Sequence, residues 1–82
     1  MNPKKLKPRE HVLIEWVDSA TDPGWRALRG YAGKVGEVSS VGYVVDCNED
    51  CITITTSIAD GNGILDPVAI PWGAVMSLKR LD

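Results

Sequence analysis

The sequence contains no phenylalanine, one histidine and two cysteines among its 82 residues. Without phenylalanine, the three tryptophans, the two tyrosines and the Val, Ile and Leu residues must supply the core. No stretch approaches the roughly 18 apolar residues of a transmembrane helix, and no apolar run of signal-peptide length follows the basic start. We therefore expect a cytoplasmic protein with no membrane partner.

The scarcity of catalytic residue types argues against an enzyme. His11 has no serine or cysteine at nucleophile spacing nearby, so no catalytic residue is assigned. The carboxylates occur at turns, where Asp stabilises loop geometry, and no motif marks a pair for acid–base work. The Asp60–Gly63 segment lacks the ligand pattern of a calcium loop.

Cys47 and Cys51 flank a three-residue loop, which leaves a disulfide, half of a metal site or two thiols open. A structural zinc site needs four ligands, and one chain supplies too few here, although two chains could share a four-cysteine site. A disulfide across so small a loop adds little stability, and cytosolic thiols are normally reduced. We expect free thiols packed across the hairpin, with no metal and no cofactor.

Length and charge indicate one small domain, residues 10–82, preceded by a basic arm at residues 1–9. A core of this size leaves a net stability of about 3–5 kcal/mol, so a homo-oligomer is expected. The arm holds four of the nine basic residues and none of the 11 acidic ones. Because an acidic body repels phosphates, nucleic-acid binding would depend on that arm.

The pattern of the remaining chain predicts five strands and no long helix. They are Glu10–Asp18, Val35–Cys47, Cys51–Ile58, Val68–Pro71 and Met76–Leu81. Alternation places Ile52 and Ile54 inward and Thr53 and Thr55 outward. Gly36 and Gly42 indicate bends or bulges. The expected fold is all-β, a small five-stranded antiparallel barrel that the last strand closes.

Three further features complete the expected fold. Trp16 shares the inward face of Val12 and Ile14, so Trp16 and Trp72 are expected in the core. The proline before Trp72 predicts a single 3₁₀ turn over residues 72–75. Residues 19–33 form a long loop around Asp22-Pro23-Gly24, and loops of that length are commonly functional.

This order of elements resembles that of SH3-like barrels. The stretches I-E-W-V-D-S-A-T-D-P-G-W (14–25), V-G-Y-V-V-D (41–46) and I-P-W-G-A-V (70–75) are also similar to small proteins encoded by tailed phages. Some small phage β-proteins act as sponges for nucleotide signals of host antiviral defence. The resemblance implies such a role here, in the host cell cytoplasm.

The residue chemistry of the long loop is compatible with that role. Arginine donates two parallel hydrogen bonds to phosphate, and aromatic faces stack on bases. The candidate ligand-binding residues are Trp25, Arg26, Arg29 and Tyr31. In the structural alternative, Trp25 caps the core and the arginines pair with Asp18 and Asp22.

The leading functional hypothesis is a non-enzymatic protein that sequesters a cyclic oligonucleotide. One alternative is a protein-interaction module that inhibits or adapts a host or virion protein through the same exposed aromatics. A nucleic-acid-binding barrel that uses the basic arm is the third.

Overall fold

The structure is a computed structural model that describes residues 6–18, 28, 29, 33 and 36–81. These residues form seven strands and one 3₁₀ helix, Trp72–Ala74. The strands are β1 (His11–Asp18), β2 (Gly36–Cys47), β3 (Cys51–Thr55), β4 (Ser57–Ile58), β5 (Ile64–Leu65), β6 (Val68–Pro71) and β7 (Val75–Arg80). Five of them build an antiparallel sheet in the order β6-β3-β2-β1-β7, while β4 and β5 pair as a separate ribbon.

The five-stranded sheet is open, which corrects the expected closure by the last strand. β7 pairs with β1, with Leu78 opposite Ile14, and β6 pairs with β3, with Ile70 opposite Ile52. Within the described residues no ladder joins β6 to β7, and the 3₁₀ helix connects these two edges. The described part of the chain is therefore all-β, with a five-stranded antiparallel sheet.

Most strand predictions are confirmed to within one or two residues. β1, β2, β6 and β7 occur where the apolar pattern placed them, and the 3₁₀ turn is present. The prediction of one strand over Cys51–Ile58 is wrong, because the chain leaves the sheet at Thr56. Its last part becomes β4, which pairs with β5 inside the segment expected to be a loop.

Among the described residues, the core consists of seven buried apolar side chains, six on one face of the sheet and one ahead of β1. They are Leu6, Val12, Ile14, Val44, Ile52, Ile54 and Ile70. The inward orientation of Ile52 and Ile54 is confirmed. Trp16 and Trp72 pack against this cluster but remain half-buried. The indole nitrogens stay hydrogen-bonded, Trp16 to Ser40 Oγ at 3.0 Å and Trp72 to the Asn48 carbonyl at 2.7 Å.

The irregularities of the sheet do not fall at the glycines. Gly42 is a point of close approach, because a Cβ there would stand 2.8 Å from the Thr55 carbonyl oxygen. The β2–β3 bulge lies between Val44 and Asp46, and a second irregularity lies on β1 between Glu15 and Trp16. Val45 is thus the extra residue of β2, and a bulge of this kind redirects its side chain.

Candidate functional site

Three of the four predicted ligand-binding residues, Trp25, Arg26 and Tyr31, lie outside the described residues. Arg29 is described and exposed. Within the described part of the chain its guanidinium has no hydrogen bond and no ion pair, so it does not pair with Asp18 there. Leu28 beside it is 96% exposed. The structure therefore describes one of the four predicted ligand-binding residues, and that one, a predicted phosphate ligand, is open to solvent.

The outer face of the sheet carries an apolar strip across β1 and β2, formed by His11, Leu13, Val41 and Tyr43. The His11 and Tyr43 rings stack with centroids 4.9 Å apart and planes 25° from parallel. Leu13 is directly opposite Val41. Val41 is 51% exposed and Tyr43 is 37% exposed. His11 is thus held against a tyrosine ring on an accessible face, with no serine or cysteine opposite it in the ladder.

Thr55 holds the β4–β5 ribbon against the sheet. It lies on the outer face, as expected, but the ribbon buries it there. Its side chain is only 2% exposed. The hydroxyl donates to the Leu65 carbonyl at 2.5 Å and accepts from the Leu65 amide at 3.2 Å. The ribbon thereby covers an outward sheet position. Beside it opens a pocket of about 270 Å³, lined by Ser40, Val41, Ile54, Thr55, Thr56, Asp66 and Val68.

A tight turn over residues 7–10 precedes β1 and is tied to β2. The Glu10 amide donates to the Lys7 carbonyl at 3.2 Å, with Pro8 and Arg9 as the central residues. Arg9 has φ 74°, at the turn position where a type II turn favours glycine. Its amide donates to the Val44 carbonyl at 2.7 Å, and the Val44 amide donates to the Glu10 carbonyl at 2.8 Å. The turn is therefore fixed to the strand beside the bulge.

The ribbon presents a matching turn to Arg9. The Asn62 amide donates to the Ala59 carbonyl at 3.1 Å, and Gly61 occupies the corresponding position with φ 80°. Asn62 follows with φ 68°. Its Oδ1 accepts a 2.7 Å hydrogen bond from Arg9 Nη2. No sequence pattern indicated this contact, because the partners are 53 positions apart in the chain.

Between these two turns lies a second pocket of about 210 Å³, which we name the Arg9 pocket. Its lining residues are Pro8, Arg9, Val44, Val45, Ile58, Asn62 and Ile64. The walls are mainly apolar, and the polar groups are concentrated at the Arg9–Asn62 bridge. Glu10 does not neutralise Arg9, since its carboxylate is 3.4 Å from Arg80 Nε and accepts from the Lys7 amide.

The two cysteines carry free thiols on opposite sides of the hairpin. Cys47 is opposite Ile52 and packs against the core, so the adjacent Cys51 points to the other face. Burial raises the pKa of the Cys47 thiol, and the nearby Asp46 and Cys51 raise it further. A raised pKa lowers the thiolate fraction, which disfavours metal binding and nucleophilic reactivity. No cluster of three His, Cys, Asp or Glu suited to a metal occurs among the described residues.

No protein-family model, curated protein or solved structure matches this chain. In the part of the chain that the structure describes, no helix has the length and apolar character needed to cross a membrane.

The Arg9 pocket was not predicted from the sequence. Pro8 is a turn signal, and a turn over residues 7–10 was readable from it. Nothing in the sequence indicated that this turn would meet Asn62 across the sheet.

Proposed function

We propose that this protein is a non-enzymatic binding protein of SH3-like type that sequesters a nucleotide-derived signal of host defence, in the manner of the phage proteins it resembles. In favour of the SH3-like assignment is the order of elements, in which two hairpin strands precede a short strand, a 3₁₀ turn and a last strand paired with the first. Trapping needs tight binding only, so a lack of catalytic groups is compatible with it.

The observation that carries the proposal is the exposed guanidinium of Arg29, which belongs to a segment, residues 25–31, whose sequence also contains two aromatic residues and a second arginine. A solvent-exposed arginine with no carboxylate partner in the described residues retains its donors for phosphate. Trp25 and Tyr31 would supply the faces on which bases stack.

The test is thermal unfolding of the purified protein against a panel of cyclic and linear oligonucleotides. A ligand present at 1,000 times its dissociation constant stabilises the native state by about 4 kcal/mol. We expect one subset of the panel to raise the melting temperature and Arg29→Ala to abolish the shift. Lys79→Ala removes another exposed cation and serves as the matched control.

Sequestration is then tested by depletion of free ligand at equimolar protein. If the panel gives no melting shift, or if equimolar protein leaves the free ligand concentration unchanged, the nucleotide proposal is wrong.

A second candidate, a protein-interaction module, is favoured by the apolar strip. Its Val41 side chain is half exposed in the middle of a sheet face and next to a stacked ring pair. Aromatic and aliphatic side chains of this kind form the centres of protein interfaces. The expected result is capture of one stoichiometric protein from host lysate, lost in Val41→Glu and retained in Ser39→Glu. Equal capture by both variants would exclude the strip as the interface.

A further inference from the structure

The Arg9 pocket lies outside the predicted nucleotide-binding residues, and its construction calls for a separate explanation. We propose that it is a binding site for a small organic anion, with an apolar body in the pocket and a carboxylate or phosphate head group on Arg9. Four features of the described residues support this site: the strained backbone of its turn, the charge of Arg9, the apolar walls and the size of the pocket. It does not depend on residues 25–31.

Arg9 and Asn62 both line this pocket, and both are non-glycine residues with positive φ. Left-handed backbone costs an ordinary L-residue free energy that glycine avoids. The neighbouring turn of the ribbon follows the usual rule, with Gly61 at its positive-φ position. The turn before β1 places Arg9 at the equivalent position. Glycine would adopt this backbone conformation at lower cost. The presence of arginine therefore indicates that its side chain has a role at this position.

The guanidinium of Arg9 is oriented but not neutralised. Its one hydrogen bond within the described residues runs to a neutral amide oxygen, Asn62 Oδ1. That bond fixes the direction of the planar group and leaves most of its five N–H donors unused. The nearest carboxylate in sequence, Glu10, is paired with Arg80. A preoriented cation without a counter-charge is suited to an anionic oxygen pair.

The pocket wall is suited to an apolar body. Pro8, Val45 and Ile64 face it from three separate segments: the turn, the bulge of β2 and strand β5. Ile64 is 42% exposed although it belongs to a strand. A ligand in the pocket would therefore bury apolar surface that is exposed to solvent in the folded protein. The volume of about 210 Å³ is below the usual range for drug-sized ligands. A single ring or a short branched chain is the appropriate size.

The test is a titration followed by amide NMR, with benzoate, phenyl phosphate and benzyl alcohol as probes. We expect saturable shifts of the Val45, Asn62 and Ile64 amides with at least one anion, at a dissociation constant on the order of 1 mM. Benzyl alcohol, which lacks charge, should bind at least tenfold more weakly. Preference for benzoate or phenyl phosphate identifies the head group as carboxylate or phosphate.

Arg9→Gly is the decisive variant, because glycine suits the φ of 74° and the fold should be retained. We expect it to lose at least tenfold in anion affinity while its melting temperature stays equal or rises. Lys79→Ala, which removes the same charge elsewhere, should bind normally. The proposal is overturned if Arg9→Gly binds the anions as well as the parent, if benzyl alcohol binds equally, or if no probe shifts these amides.

Discussion

At the residue scale, Gly42 is the position where a missing side chain has the clearest structural role. An added Cβ would stand 2.8 Å from the Thr55 carbonyl oxygen and 3.3 Å from Ile54 side-chain atoms. Neighbouring strands are already joined by backbone pairing there, so the carbonyl has little room to yield. The glycine allows the paired strand β3 to approach β2 closely, and its conformational freedom is not needed.

We expect Gly42→Ala to lower the free energy of unfolding by about 1–3 kcal/mol through overpacking. Gly73→Ala is the matched control, since no atom lies within 4 Å of its added Cβ. Urea unfolding of the two variants measures the difference. Equal midpoints would contradict the close approach.

Thr55 has the second distinctive role at this scale, because its hydroxyl joins the five-stranded sheet to the β4–β5 ribbon. We expect Thr55→Val to lower the free energy of unfolding by about 1–3 kcal/mol, as the Leu65 amide and carbonyl lose a buried partner. Thr53→Val changes the same residue type on the same strand without that contact and should be nearly neutral. Hydrogen exchange of the Leu65 amide should accelerate only in Thr55→Val.

At the element scale, a polar clasp holds the β2–β3 hairpin to the 3₁₀ helix. Asn48 Oδ1 accepts from the amides of Asp50 and Cys51 at 2.8 and 3.0 Å, which shapes the three-residue loop. The loop then offers two carbonyls to Trp72: Asn48 to its indole at 2.7 Å and Asp50 to its amide at 3.1 Å. One side chain therefore supports both a turn and the docking of the next element.

Asn48→Ala should lower the free energy of unfolding by about 1–2 kcal/mol, because two loop amides lose their acceptor. It should also change the tryptophan fluorescence, since the carbonyl that holds the Trp72 indole would no longer be fixed. Glu49→Ala, in the same loop and exposed, is the control. Unchanged fluorescence and stability in Asn48→Ala would show that the clasp is unimportant.

At the scale of the whole molecule, the described core is small. Seven buried apolar residues form it in the part of the chain that the structure describes, and the sheet that carries them has two open edges there. For a domain of this size the net stability is about 3–5 kcal/mol. The free energy lost when one large core side chain is truncated is therefore comparable to the net stability of the whole domain.

Ile52 is fully buried at the centre of this cluster. Ile52→Ala should cost about 2–5 kcal/mol and leave much of the chain unfolded at 25 °C, whereas Ile52→Val should cost about 0.5–1.5 kcal/mol and stay folded. Near-ultraviolet circular dichroism of the tryptophans distinguishes the two states. A folded Ile52→Ala variant would contradict this expectation and indicate an additional source of stability. The expected homo-oligomer is the first explanation to test, by native mass spectrometry.

The sequence by itself determined the positions of β1, β2, β6 and β7, because two-residue alternation of apolar side chains is a local property of the chain. Val12 with Ile14 and Ile52 with Ile54 were therefore predicted correctly, as was the 3₁₀ turn after Pro71. Only the tertiary structure decided the rest. The burial of Thr55, the open sheet and the Arg9–Asn62 bridge each depend on which distant segment covers a given surface. Such contacts join residues far apart in the chain, and no local pattern encodes them.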